Sequence, residues 1–249
     1  MSLILIQGAE LTETEYLERK LENRASIKIG GFTFNTGKYE NEDIVISRTK
    51  VGEINAAAAT TIGILKFNPD IIINQGTAGG HSKDVHKGEL VIGEKYIQIN
   101  TFMCNYSDEG NGYNVNNWCL KEYQADEEKN LKESYKYATK ELVKLAKNII
   151  PKIFNKKVHS GVIASGDVWN REIDRILYLN KEYKTLCEEM ETAGVYKIAN
   201  SFEIPVITIR IVSNNEILKE EYEPQIAEKC QKLIYEFVKQ LKNSNFLSI

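Results

Sequence analysis

The sequence is poor in the residues that mark several function classes. Four cysteines (Cys104, Cys119, Cys187, Cys230) stand far apart with no C-x-x-C pair, and three histidines (His81, His86, His159) show no H-x-x-x-H spacing. Neither a disulfide scaffold nor a structural zinc site is suggested, so no metal is expected and the thiols read as reduced and half-buried. Only Cys230 has a clear helical context, on the apolar face Ile226, Cys230, Leu233, Phe237, Leu241. Charge of one sign is not in excess: 32 Lys and Arg against 35 Asp and Glu give a net charge of -3 with the signs interspersed. That excludes the basic stripe a phosphate backbone needs, and nucleic acid is not expected as a partner. No apolar run approaches the roughly 20 residues of a membrane span, and Met1 to Gln7 has no basic flank or cleavage site. The chain therefore reads as soluble and cytoplasmic, with no membrane partner.

Prolines are few as well. The four (Pro69, Pro151, Pro205, Pro224) fall at element starts and no repeat or low-complexity tract appears, so residues 1–249 are expected to form a single domain. With 42% hydrophobic residues the chain can bury a sizeable core, which rules out disorder. Leu3 to Gln7 is a short apolar run closed by Gly8, the pattern of a buried strand, and Thr14 to Asn23 has helical composition. Ile27 to Phe34 and Ile44 to Arg48 read as strands separated by a polar turn, Asn35 to Glu42. Glu53 to Lys66 reads as a helix laid on a sheet by its alanines, with Ile54, Ala58 and Leu65 at helical spacing.

Farther along, Asp70 to Gln75 predicts a strand running into a Gly-rich turn, Gly76 to Gly80, at the place where open α/β sheets bind ligands. Glu89 to Ile99 is a further strand, and Asn105 to Asn117 a long aperiodic loop of the lid or interface kind. An amphipathic helix over Glu127 to Asn148 precedes a strand from Lys157 to Ala164 that ends in Ser165-Gly166-Asp167. Another helix ends at Val195 to Ser201. Pro205 to Val212 is a β-branched strand ending in Ser213-Asn-Asn-Glu216, and a helix from about Pro224 to Lys242 closes the chain. Strands alternating with helices argue for a three-layer α/β fold, a mixed central sheet flanked by helices.

Candidate chemistry gathers at three strand ends, Gly76 to Gly80, Ser165 to Asn170 and Ser213 to Glu216, and at the acidic cluster Glu188, Glu189, Glu191. Taken alone, a helix N-terminus explains that cluster equally well. Gly76-Thr-Ala-Gly-Gly80 is neither G-x-G-x-x-G nor a P-loop, and no G-x-S-x-G elbow is present. Its glycines would let a flat ligand approach the backbone closely.

Together, Val51-Gly-Glu-Ile-Asn-Ala-Ala-Ala-Ala-Thr60, Ile73-Asn-Gln-Gly-Thr-Ala-Gly-Gly80, Ile163-Ala-Ser-Gly-Asp167, Glu189-Met-Glu-Thr-Ala193 and Ile209-Arg-Ile-Val-Ser213 resemble the successive motifs of the 5′-methylthioadenosine/S-adenosylhomocysteine nucleosidases, of the purine nucleoside and uridine phosphorylase superfamily. The ordered match covers about residues 3 to 240. The resemblance implies a phosphorylase/nucleosidase-like αβα fold and a cofactor-free hydrolysis of the bond between a purine and ribose C1′ of a small purine nucleoside. It also implies a homodimer in which a partner loop closes the 5′ pocket.

The same resemblance assigns roles. Glu13 is similar in position to the general base that takes a proton from water, Glu191 with the Met190 backbone to the holders of the ribose hydroxyls, and Glu189 to their supporting acid. Trp169 and Asn170 fall where the family stacks a ring on the purine and offers backbone hydrogen bonds to it. Thr77, Ala78, Gly79 and Ser213 would line the pocket, and Thr101, Met103 and Tyr106 would border the 5′ substituent. Asn74 stands where the phosphorylases carry an Arg, which favours water over phosphate, with Arg48 as an alternative phosphate ligand. One position departs from the pattern: the family's Arg-x-x-Ser-Asp is here Arg210-Ile-Val-Ser-Asn214, and an amide cannot act as an acid. Four readings follow: a slow nucleosidase for adenine substrates, a hydrolase or phosphorylase preferring 6-oxopurines, a nucleoside-binding protein that does not cleave, or a chain in which Glu216 replaces the acid.

Overall fold

The computed structural model describes residues 2–40, 42–112, 114, 118–120 and 136–242. Leu3–Gly8 forms β1, whose Ile4 and Ile6 point into one core cluster and Leu5 into another on the opposite face. A strand buried on both faces reads as a continuous apolar run, as this one does. The helix after it is shorter than expected: a 3₁₀ turn, Leu11–Glu13, leads into α1, Glu15–Lys20, and Glu22 already begins β2. The hydroxyl of Tyr39 donates to the Leu17 carbonyl at 2.7 Å, taking up an end-of-helix acceptor that a longer helix would have used.

β2 (Glu22–Ile29), β3 (Phe32–Tyr39) and β4 (Glu42–Arg48) form an antiparallel meander. The stretch expected to be a turn, Asn35 to Glu42, is therefore largely strand. The turn of that stretch is confined to its end, at Glu40 with φ of 56° between β3 and β4, while Gly30-Gly31, with φ of 58° and 80°, makes the tight hairpin that joins β2 to β3.

β5 (Ile71–Gly80), β6 (Leu90–Gln98), β9 (Val158–Ser165), β10 (Thr185–Glu189) and β11 (Val206–Asn214) complete a nine-stranded mixed sheet in the order β10-β9-β6-β11-β5-β1-β4-β3-β2. Because β10 also pairs antiparallel with β5, the first five strands close on themselves. Gly76 to Gly80 is thus not a turn but the end of β5, held between β11 and β10. A separate hairpin, β7 (Phe102–Cys104) with β8 (Trp118–Leu120), stands apart from the sheet.

Helices cover both faces of the sheet. On one side lie α1, α3 (Lys140–Ile153) and α6 (Ala227–Lys242), the last burying Cys230, Leu233, Phe237 and Leu241 as its periodicity predicts. On the other lie α2 (Glu53–Phe67) and α5 (Thr192–Ser201). α3 begins thirteen residues later than Glu127 because residues 136–138 hydrogen-bond to β6 instead; 121–135 lie outside the described residues. A further helix, α4 (Ile173–Tyr183), and strand β10 escape the sequence reading.

The buried face of α2 is also not the expected one. Ala56, Ala59, Thr60 and Gly63 face inward, while Ile54 and Leu65 are 81% and 71% exposed. The reason is distance: a Cβ on Gly63 would sit 2.8 Å from Leu5, and one on Gly194 of α5 would sit 2.4 Å from the Glu53 carbonyl oxygen, so only small residues fit between these elements. Gly194→Ala is expected to lower stability by about 1–3 kcal/mol through overpacking against that backbone, read as a lower denaturant midpoint with an unchanged slope.

Candidate active site

The carboxyl ends of β1, β5, β9 and β11 open onto one cavity. Every residue of the expected site lines it: Glu13, Thr77, Ala78 and Gly79, then Trp169, Asn170, Glu189, Met190 and Glu191, and finally Ser213 and Asn214. Thr101, Met103 and Tyr106 do not line it; they lie on and beside the β7–β8 hairpin, with Tyr106 largely in solvent.

Glu13 is fixed by the turn that follows β1. Its Oε2 accepts from the Ala9 amide at 2.9 Å, and its Oε1 from the Thr77 amide at 2.8 Å and the Thr77 hydroxyl at 3.1 Å. Gln75 donates to the Glu13 carbonyl at 2.6 Å. The base-candidate carboxylate is thus held in one orientation by two strand ends at once.

Glu191 sits at the N-terminus of α5. Its Oε1 accepts from the Gly52 amide at 3.1 Å and its Oε2 from Arg210 at 3.3 Å. Burial pushes its carboxyl up to about 8, helped by the Glu189 and Glu13 charges and opposed by Arg210 and the Gly52 amide. Glu189 makes a close ion pair with the Arg210 guanidinium and accepts from the amides of Glu191 and Thr192, so it ties the helix start to the buried cation. Arg210, on β11 and only 1% exposed, appeared in the matched motif but was given no role; a buried Arg amid carboxylates on other elements cannot be recognised from spacing. A Cβ on Gly76 would lie 2.5 Å from Arg210 and 2.6 Å from Glu13, so the glycine is needed where these groups converge.

Trp169 is 59% exposed and meets the ring of Tyr222 edge-on, with centroids 5.1 Å apart, which excludes a plain core role. Tyr222 also lines the cavity, and its hydroxyl is raised by burial and by the Glu13 and Glu10 charges. Asn214, 4% exposed, donates to Glu216 at 3.4 Å and accepts from Ser213 at 3.0 Å. Glu216 in turn pairs with Arg171.

The cavity wall carries Glu10, Glu13, Glu188, Glu189, Glu191 and Glu216, and among the described residues no Lys or Arg. Arg48 is committed elsewhere: Nε and Nη2 donate to Glu18 at 2.7 and 2.6 Å. Burial works to raise the Glu18 carboxyl, but the Arg48 and Thr14 hydrogen bonds and the Arg48 and Arg24 charges hold it below the usual range. Asn74 faces Thr192 and Thr208 inside the protein. Among the described residues no group of three or more His, Cys, Asp or Glu could hold a metal ion, and no helix is long and apolar enough to cross a membrane.

Residues 3–241 match a family model described as the phosphorylase superfamily, across the elements that build this cavity. The chain belongs to the phosphorylase superfamily. Within it, the chain is 28% identical over 244 residues to the 5′-methylthioadenosine/S-adenosylhomocysteine nucleosidase of Bacillus licheniformis, covering 96% of this chain and 99% of that one. The enzyme of the same name from Bacillus subtilis is 25% identical over the same shares. Among solved structures, the Neisseria meningitidis nucleosidase in complex with methylthio-immucillin-A superposes with a TM-score of 0.78 at 24% identity, over 96% of this chain and all of that one. The superfamily fold expected from the motifs is thereby borne out.

The Glu53 carboxyl beside the site is pushed up to about 7 by burial, only partly offset by hydrogen bonds from Gln98 and Asn100. A folded-state value above the unfolded one favours the fold below pH 4.5 and costs it stability as pH rises toward 7. Glu53→Gln should flatten this loss: melting temperatures between pH 4.5 and 8 are expected to converge with wild type in acid and exceed it in base.

Proposed function

We propose that the chain, acting as one domain, hydrolyses the N-glycosidic bond of 5′-substituted purine nucleosides of the methylthioadenosine and S-adenosylhomocysteine type, releasing the base and a 5-substituted ribose. The observation that carries this reading is Glu13, clamped by three hydrogen bonds and facing the same cavity as the Arg210-anchored Glu191. The Bacillus licheniformis and Bacillus subtilis relatives, matched over 99% of their length, are nucleosidases by name.

In this mechanism Glu13 takes a proton from a water that attacks C1′ while the bond from C1′ to the base breaks; the base leaves with the bonding pair and is protonated by solvent, since Asn214 cannot supply a proton, and Glu13 returns the water's proton to solvent. Glu191 accepts the ribose hydroxyls, and the carboxylates around C1′ favour the cationic sugar of the transition state. Glu189 acts through Arg210, which positions Glu191. Trp169 and Tyr222 flank the base, and Asn214 offers it an amide. Water is the acceptor of the ribosyl group, since the described wall carries no lysine or arginine to hold phosphate and Arg48 is held by Glu18.

The chain acts in the cytoplasm as a homodimer, for which the exposed Ile54 and Leu65 on the outer face of α2 supply an apolar stripe. Ile54→Asp should then shift the sedimentation coefficient from dimer to monomer; a wild-type monomer would remove the dimer from this reading. Glu13→Gln should lower base release on the order of 100-fold or more while leaving nucleoside affinity nearly intact, by chromatographic assay and calorimetry. Wild-type turnover by that variant would return Glu13 to a structural role.

A further inference from the structure

Glu13, the proton acceptor proposed above, stands on a short and irregular piece of chain. Leu11–Glu13 is a single 3₁₀ turn, and α1 after it has only six residues. A helix of that length has little stability of its own, because the cost of its first turn is offset by few hydrogen bonds. Local caps are missing as well: neither Glu10 nor Thr14 caps with its side chain. The Thr14 hydroxyl donates instead to Glu18 Oε1 at 2.8 Å and to the Glu10 carbonyl at 3.3 Å. The first amides of α1 therefore need an acceptor from elsewhere in the fold.

That acceptor comes from α6, 215 residues further along the chain than Tyr16. Gln231 is 1% exposed, and its Oε1 accepts from the Tyr16 amide at 2.9 Å and the Leu17 amide at 3.4 Å. Its Nε2 donates to the Thr12 carbonyl at 2.8 Å. One side-chain amide, with its donor and acceptor at a fixed separation, thus grips the backbone on both sides of Glu13. Gln75 Nε2 holds the carbonyl of Glu13 itself at 2.6 Å. With that backbone fixed from α6 and from β5, the carboxylate reaches the Ala9 amide and the Thr77 amide and hydroxyl at once.

Gln231 does not line the cavity, so it has no contact to offer a ligand. The register of its helix is tied to the other half of the site. Cys230, the residue before it, donates to the carbonyl of Ile209 at 3.8 Å, next to Arg210 on β11.

Resting on the reading of Glu13 as the base, we propose that Gln231 is a positioning residue for the reaction. It acts through Glu13, holding that carboxylate where it can accept a proton from water, and takes no part in binding the nucleoside.

Two substitutions test this. Gln231→Met keeps length and burial but removes both hydrogen-bonding ends, and Gln231→Glu keeps the acceptor for α1 while losing the donor to Thr12. For base release from 5′-methylthioadenosine, Gln231→Met is expected to lower kcat at least about tenfold, as small misplacements of a reacting group do, with KM within about twofold of wild type. Gln231→Glu should lose less, and it serves alone should Gln231→Met fail to fold. In a Glu13→Gln background Gln231→Met should cost no further kcat, because the group it positions is already gone. Amide hydrogen exchange reads the same effect without turnover: faster exchange is expected at residues 12–17 and at the Ala9 and Thr77 amides, with β9 as in wild type. An unchanged kcat, a loss confined to KM, or a full additional loss in the double variant overturns the proposal, as does unchanged exchange at Ala9 and Thr77. If exchange rises as expected while Glu13→Gln turns over like wild type, or wild type releases no base, the hydrolase reading fails and the hold of Gln231 on Glu13 stands.

Discussion

The site depends on one buried cation. Arg210 has almost no solvent contact, and its guanidinium meets Glu189 on β10 and Glu191 just after that strand. Removing one partner of such an arrangement leaves an uncompensated buried charge, so the three residues stand or fall together. Glu189 also accepts the first amides of α5, and Glu191 accepts the Gly52 amide at the start of α2. One ion cluster therefore fixes the ends of two helices and a strand on the wall of the cavity.

Close approach of backbones is the second constraint, and it explains the small residues around the cluster. Gly76 leaves room for Arg210 and Glu13 to meet, and Gly194 lets α5 touch the first turn of α2. At Gly52 the backbone has φ of 103°, and a Cβ would lie 2.9 Å from Asp167. Its φ and its amide's hydrogen bond to Glu191 arise at the same residue, so the helix start and the site are built by one backbone conformation. The apolar face of α2 is displaced outward by the same crowding, which turns Ile54 and Leu65 into a surface feature instead of core.

The wall around Asn214 is set by strand ends. An amide at 214 cannot carry a proton as an acid, and a carboxylate at 188 occupies the Asn170 amide. Both residues sit at strand ends whose backbone is fixed by pairing to β5.

Most of the framework was legible in the residues themselves. Continuous apolar runs such as Leu3 to Gln7 and Pro205 to Val212 can only be buried strands, and the spacing of Cys230, Leu233, Phe237 and Leu241 can only suit one face of a helix. The resemblance likewise brought Glu13, Glu191 and Asn214 to one site; Glu13 and Asn214 follow such runs, whereas Glu191 follows a strand that local pattern does not show. Tertiary structure decided what local pattern cannot encode. Most of the polar stretch from Asn35 became strand because β4 and β2 pair with it on either side, which left its turn at Glu40 alone. The five residues of β10 looked like an acidic helix start, and became a strand only because β9 and β5 supply its hydrogen bonds from residues far away in sequence. Arg210 and Gln231 acquire meaning through partners on other strands and helices, and such partnerships are set by distance in space, which the order of residues does not carry.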